Sequence, residues 1–365
     1  MIIICLITFS LQVRLCWLDK KETTTSLVVL TCKSRDNTIK KTGGKMKKIL
    51  IILLSILFSF QVANAKIILK AGHTANPDEP YHKGMLELKR LVEAATNGEV
   101  EIQIFPNGQL GSEKEMIEGL KLGTVDITSP SNGNLTNFVP ELGIFDLPFL
   151  FRDRPHMYKA MDGGPGQKLS KAMADKGFRL LGFYEAGIRH IMTTKKPINS
   201  FDDIQGLKIR TMGVPAHVAS FNAFGAKATP MAYGELYGAL QQNVVDGAEA
   251  ANTNYNSKKF YEVAPNWAQI GWTALVADLV MSEKKFKSLP ANVQKALLDA
   301  GPKAAAVERK AYSDSDNSLL DSLKAKGVKV TYPDPIPFRN ASKAVYDEFV
   351  KSTSSKAILD EILGM

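Results

Sequence analysis

The order of elements along this chain predicts an α/β fold in two lobes. Three observations carry that expectation. Short apolar and β-branched runs alternate with longer stretches whose apolar residues recur at helical spacing, the pattern of crossover connections and a largely parallel sheet. The alternation starts afresh in the second half of the chain. About 300 residues follow an export segment, a length that suits two lobes around a cleft.

Residues 67–70 form a short apolar strand, and 71–77 are the loop at its C-terminal end. Pro80 opens a helix over 80–96 in which Met85, Leu88, Leu91 and Val92 share a face, and Gly98 follows its end. Residues 100–105 alternate as a strand, Pro106-Asn107-Gly108 turns, and 112–122 form a helix with Ser112 as cap and Lys121 near its end. Glu113 reads as part of that cap. A third strand at 125–128 leads into the polar loop 129–134.

The second half continues with strands at 179–184, 190–194 and 208–211, helices at 216–224 and 233–242, a strand at 274–281 and a long helix at 290–324. Residues 66–186, with 275–314 returning, make the first lobe; 187–274, with 315–365, make the second. Hinges are expected near Gly187 and near Trp272-Thr273, with the long helix bracing both lobes. In open parallel sheets ligands bind beyond the strand C-termini. That rule points to the loops holding His73 and Ser131 to Asn134.

The chain has 46 Lys+Arg and 37 Asp+Glu, a formal charge of +9. Ten of the basic residues but only Asp19, Glu22 and Asp36 of the acidic ones fall in 1–65, leaving 36 against 34 beyond it. The charge therefore gives no support to a nucleic-acid partner. Met46-Lys47-Lys48, the apolar run 49–60 and Val62-Ala63-Asn64-Ala65 form a signal peptide at 46–65 with its cut after Ala65. The run is too short for a membrane span, which takes about 20 residues. Residues 1–45 fit no signal architecture and read as a start-site artefact upstream of Met46. All three cysteines (Cys5, Cys16, Cys32) lie there, so the mature chain is expected to carry no disulfide and no Cys metal site.

Catalytic patterns are weak. The histidines at 73, 82, 156, 190 and 217 include no HxxxH pair, and there is no HExxH or GxSxG. Gly163 to Lys168 lacks the spacing of a phosphate loop and reads as a helix-breaking turn. More informative is Arg210: Leu207 and Ile209 take one face of their strand, placing Arg210 on the other, just ahead of a helix opened by Pro215. A guanidinium fork and helix amides there suit a buried anion. Arg189 starts another strand behind Gly187. On composition alone, a solvated strand-edge Arg accounts for either residue as well.

Phe105-Pro106-Asn107-Gly108-Gln109-Leu110-Gly111, the stretch 206–210, Thr229-Pro230-Met231-Ala232-Tyr233-Gly234-Glu235-Leu236-Tyr237, Val244-Val245-Asp246-Gly247-Ala248-Glu249 and Lys258-Lys259-Phe260-Tyr261-Glu262-Val263 together resemble the TRAP-transporter solute-binding proteins, the DctP-like extracytoplasmic receptors. The resemblance implies a periplasmic-binding-protein-like fold closing on an organic acid and delivering it to the membrane subunits of a sodium-coupled permease. It implies that Arg210 pairs with the ligand carboxylate, that Arg189 shares the pocket, and that His73, Ser131, Asn134 and Tyr233 line it. Glu249 belongs to the same constellation, and Trp272 offers an apolar face. Where the family commonly places Asn this chain has Ala250, so Asn252 is the candidate replacement. The absence of charged residues at Ser131 and Asn134 argues against sialic acid.

The reading is a monomeric periplasmic receptor, not an enzyme, with no cofactor and no metal. Its ligand is a small organic acid, with a uronate or aldonate favoured by the hydroxyl partners His73, Ser131, Asn132 and Asn134, and a C4-dicarboxylate or 2-oxo acid as the alternative. The competing class is a periplasmic enzyme using His73 or Glu185 as base; a structural or adhesive exported protein is a third. The intact mass of the exported protein is expected to match a chain starting at Lys66. A mature chain beginning before Met46 would contradict the start-site and signal readings together.

Overall fold

The structure is a computed structural model that describes residues 66–349 and 353–365. The expectations for 1–45, for the signal at 46–65 with its cut, and for the three cysteines lie outside these residues.

The described chain opens as expected, with strand β1 (Ile67–Gly72), helix α1 (Pro80–Ala95), strand β2 (Val100–Phe105) and helix α2 (Glu113–Leu122). β1 pairs in parallel with β2 and with the two-residue strand β3 (Ile127–Thr128). A reciprocal capping box starts α2: Ser112 Oγ accepts from Glu115 N at 3.3 Å and Glu115 Oε2 accepts from Ser112 N at 2.7 Å. This corrects the cap assignment for Glu113, whose side chain is free for other partners. After a short helix α3 (Asn132–Leu135) and a 3-10 segment (Pro140–Asp146) come α4 (Arg154–Asp162) and α5 (Gly164–Asp175). The break expected at 163–168 narrows to Gly163, because Pro165 suits the first turn of α5.

Two strands expected at 179–184 and 190–194 are one 16-residue strand, β4 (Phe178–Thr193). It is followed by β5 (Lys208–Thr211), α6 (Pro215–Ala223), β6 (Lys227–Pro230), α7 (Leu236–Gln241), β7 (Gly247–Ala250) and α8 (Asn252–Ser257). The strand expected at 274–281 is the second part of a 17-residue strand, β8 (Asn266–Ser282). The chain closes with α9 (Glu283–Ser288), the 35-residue α10 (Ala291–Ala325), β9 (Lys329–Thr331), α11 (Pro335–Ala341), α12 (Lys343–Phe349) and α13 (Thr353–Leu363).

The strands lie in the order β2-β1-β3-β8-β4-β7-β5-β6, with β9 beside β8. The outer strands are joined in parallel, while β8 runs antiparallel to β3 and to β4, and β4 antiparallel to β7. This is a mixed sheet shared by two lobes. The end of β8 pairs with β3 of one lobe, and the end of β4 pairs with β7 of the other.

Along β8, Leu275, Ala277, Leu279 and Met281 face a core shared with Met85, Leu88 and Val92 of α1 and Val293 and Leu297 of α10. Val276 and Val280 face the opposite core, with Met116 and Leu120 of α2 and Leu169 and Met173 of α5. Asp278 stands in that second row, fully buried with neither oxygen bonded among the described residues, and burial pushes its carboxyl well above the usual range toward the neutral form.

Pairing between β4 and β8 is broken near the middle. The register shifts between Glu185 and Ile188, and again between Arg189 and Ile191, where the partner strand advances from Thr273 to Ala268. Gly187 supplies the first irregularity at φ +79°, a left-handed conformation. A Cβ there would sit 2.4 Å from Ala251 Cβ and 2.7 Å from Tyr312 Cε1. At the second irregularity Gly271 N donates to Nδ1 of buried His190 at 3.1 Å. An ion network also ties the bend to its surroundings. Arg154 Nε donates to Glu185 at 2.7 Å and Nη2 to Asp316 of α10 at 2.6 Å, while Asp316 accepts from Thr253 Oγ1 at 2.9 Å.

Gly187→Ala therefore combines a strained φ with a clash in a packed interior, and is expected to lose about 1–3 kcal/mol or more of stability in denaturant melts. A loss below about 0.5 kcal/mol would contradict the tight crossing. Burial, aided by the Arg189 charge, lowers the His190 pKa from 6.5 to about 3. Between those values the unfolded chain takes up a proton that the folded one refuses. The neutral imidazole's contribution is complete above pH 6.5 and declines as pH falls toward 3. In His190→Gln that decline is absent, so the wild-type advantage over the variant in thermal melts should shrink from pH 7 to pH 5. An advantage that grows on acidification would contradict the assignment.

Candidate functional site

A cavity of about 380 Å³ opens between the strand ends. One wall comes from the β1 loop, α1, α2 and α3 and presents Thr74, Glu79, Glu113, Ser131 and Asn134. The other presents Arg210 from the end of β5, Met231 and Tyr233 from the segment after β6, and Asn254 from α8. Arg189 projects at the bend of β4. The volume lies at the small end of the usual range for ligand sites.

The two arginines are held differently. Arg189, 5% exposed, donates from Nε to Glu249 Oε2 at 2.6 Å, and from Nη1 to Ala186 O at 3.0 Å and Asn254 Oδ1 at 3.1 Å. Burial acts to lower its pKa, but the Glu249 carboxylate outweighs burial and raises it above the ordinary value. The same pair keeps Glu249 ionised: burial pushes its carboxyl up, and Arg189 pulls it below the usual range. Arg189 is thus a charge already answered inside the protein.

Arg210 is 1% exposed and is not answered in this way. Nε and Nη2 both donate to Met231 O, at 3.1 and 2.8 Å. Nη1 lies 3.8 Å from Glu249 Oε1, too far for a hydrogen bond, and that oxygen has no hydrogen-bond partner among the described residues. Burial lowers the Arg210 pKa, yet a guanidinium stays protonated in proteins. Two guanidinium groups share one carboxylate, so the cavity holds a buried cation with unused donors. The Tyr233 ring, 5.9 Å from the Arg210 guanidinium carbon, flanks it. Its buried hydroxyl also lacks a partner among the described residues.

Of the residues singled out in the sequence, Arg189, Arg210, Ser131, Asn134 and Tyr233 meet at this cavity. The other four do not line it. His73 is buried behind Thr74 with Nε2 3.0 Å from His82 Nδ1, and burial lowers its pKa to about 3. Trp272 is packed edge-on against His217 and Phe221, at 4.9 and 5.1 Å between ring centroids. Glu249 stands behind Arg189. Asn252 points into the second lobe, where Oδ1 accepts from Trp267 Nε1 at 2.8 Å and Gln269 Nε2 at 3.1 Å. Asn132 is likewise withdrawn, donating to Leu142 O at 2.9 Å and Asp146 at 2.6 Å. Nor do His73 and Glu185, the bases expected of an enzyme, reach the cavity; Glu185 is fully buried against Arg154 and Tyr158.

Polar residues beyond the expected set also line the cavity, among them Thr74, Lys114, Asn254, Glu79 and Glu113, the last of which reads in sequence as part of a cap rather than as a ligand contact. Asn254, two positions past Asn252, places its amide there, with Nδ2 donating to Glu79 Oε2 at 2.7 Å. Glu79 precedes Pro80 and Glu113 follows Ser112, positions that in sequence resemble helix starts and nothing more.

The family described as bacterial extracellular solute-binding protein, family 7, DctP, matches residues 71–353. A TRAP periplasmic solute-binding protein from Polaromonas sp. JS666, solved bound to D-erythronate, is 38% identical, with 81% of this chain and 98% of that one covered at a TM-score of 0.79. One from Sulfitobacter sp. NAS-14.1 with bound β-D-galacturonate is 32% identical, covering 82% and 100% at 0.79. One from Sulfurospirillum deleyianum with bound succinate is 36% identical, covering 82% and 99% at 0.77. With a match over most of its length and a cleft built around an unanswered guanidinium, the chain belongs to the DctP family of extracytoplasmic solute-binding proteins, the receptors of TRAP transporters.

Proposed function

We propose that this receptor captures a sugar acid, an aldonate or uronate, by its carboxylate on Arg210. The observation that carries the reading is the buried Arg210 fork, whose Nη1 has no hydrogen-bond partner and no carboxylate within hydrogen-bond reach among the described residues. A planar carboxylate fits a guanidinium through parallel charge-assisted bonds, which orient the ligand as well as hold it. Arg189 contributes positive field while staying bonded to Glu249. Ser131, Asn134, Tyr233 and Asn254 offer hydroxyl partners. The erythronate and galacturonate bound by two relatives support a polyhydroxylated acid. Succinate in a third keeps a C4-dicarboxylate as the second reading.

The lobes comprise 66–186 with 275–314 and 187–274 with 315–365, and they close about Gly187 and Trp272-Thr273. Two of the three register shifts in the β4–β8 pair, at Glu185/Ile188 and Arg189/Ile191, support hinges at those positions. The receptor works as a periplasmic monomer released by cleavage after Ala65, hands its ligand to the TRAP permease subunits, and performs no catalysis. His73 and Glu185, the bases of the competing enzyme reading, are not among the residues that line the cavity, which supports the last point.

Titration calorimetry of the mature protein against uronates, aldonates, dicarboxylates and 2-oxo acids tests the reading. Heat of binding without product formation is expected for a sugar acid. Arg210→Ala should weaken that binding by about 2–5 kcal/mol, since the ligand charge would be buried unpaired. Arg210→Lys should recover only part of the loss, because an ammonium lacks the fork. Binding by the Ala variant within about threefold of wild type, a difference well under 1 kcal/mol, would overturn the role of Arg210.

A further inference from the structure

The cavity is electrically polarised. On the β5 side stands the Arg210 cation, and on the α2 side stands Glu113. Glu113 Oε2 accepts from Ser131 N at 3.0 Å and from Asn134 Nδ2 at 2.5 Å, and Oε1 accepts from Thr74 Oγ1 at 3.2 Å. All three partners are neutral. Glu113 makes no ion pair among the described residues, whereas Glu79 on the same wall has Lys258 Nζ at 3.9 Å. The two N–H donors fix Oε2 as an acceptor and hold the carboxylate plane. Oε1, with a single hydroxyl partner, keeps acceptor capacity at the cavity.

We infer that Glu113 is the specificity-determining residue of this receptor, selecting polyhydroxylated monocarboxylates and rejecting dicarboxylates of the same length. The inference rests on the sugar-acid reading above and deepens it. With the ligand carboxylate on Arg210, a distal hydroxyl donates to Glu113 Oε1. A second carboxylate in that place could donate nothing and would meet the Glu113 anion, with which Lys114 of the same lining makes no ion pair among the described residues, in a cleft where water screening is reduced.

Matched pairs isolate this effect. D-galactonate and galactarate share one carbon skeleton and differ only in a terminal CH2OH or carboxylate; D-erythronate and meso-tartrate form a second such pair. In titration calorimetry at pH 7.5, the wild-type protein is expected to bind at least one aldonate about tenfold or more tighter than its partner diacid, a difference of about 1.4 kcal/mol. Glu113→Gln keeps the shape: its carbonyl oxygen can take the two N–H bonds, and its amide N–H groups then face the ligand. That variant should lose about tenfold or more of the preference, with the diacid gaining affinity.

Equal weakening of both partners in Glu113→Gln, with its melting temperature preserved, would show a merely structural Glu113 and overturn the inference. The wild-type arm is independent of how the variant folds. Aldonates bound no tighter than their diacids would overturn the role of Glu113 while leaving the sugar-acid reading intact. Failure of every aldonate and uronate to bind would remove both.

Discussion

The pairing of β4 with β8 is the constraint on which the rest of the structure depends. These strands, 16 and 17 residues long, carry the hydrogen-bonded sheet from one lobe into the other. Side chains alternate between two cores on either side of them, so the register cannot slip without turning apolar residues outward. Of the three breaks in that register, the two on either side of Ile188 and Arg189 are therefore placed features. They bend the ladder where the lobes meet and aim Arg189 toward the cavity. Gly187 permits the first break, and Arg154, bridging Glu185 and Asp316, ties the bend to the long helix. A buried network of this kind adds little net stability against an apolar substitute, but losing one member leaves a stranded charge.

The binding site follows from an imbalance of charge within this frame. Burying a guanidinium is costly unless an anion accompanies it. Glu249 meets that need for Arg189 through a 2.6 Å bond and stands 3.8 Å from Arg210, whose hydrogen bonds among the described residues go only to Met231 O. The cleft thus presents one half of an ion pair. An arriving carboxylate completes it, and because the ligand binds the folded state, affinity and stability rise together. Glu113 on the other wall supplies the opposite polarity, and on the proposed reading the site meets both ends of its ligand.

Several elements are legible in the amino-acid sequence alone. The capping box at Ser112, Pro80 at the head of α1 and the apolar stripe of Met85, Leu88 and Val92 are local signals, and each appears where expected. Strand alternation and the position before Pro215 mark Arg210 as a candidate, but a solvated strand-edge Arg fits them equally, and the family resemblance is what points to the ligand. The short strands β6, β7 and β9 are not legible, because three or four small or polar residues carry no period of their own. Glu113 passes for a cap because a Glu beside Ser112 at a helix start has the same appearance whether or not its side chain bonds to Ser131 and Asn134.

By itself the sequence determined the alternation of strands and helices, the excess charge of its N-terminal segment and the family of the chain, since these rest on local patterns and motif combinations. Tertiary structure alone decided which polar residues share a cavity. His73 and Thr74 are neighbours in sequence, yet only Thr74 lines the site, and Asn252 and Asn254 divide in the same way. The physical reason is that a side chain's direction over a bend, and the partner that claims its hydrogen bonds, depend on segments far away in the chain. For Arg189 and Arg210 the deciding partner was Glu249, some 60 and 39 residues distant in sequence, which answers one charge and leaves the other for the ligand.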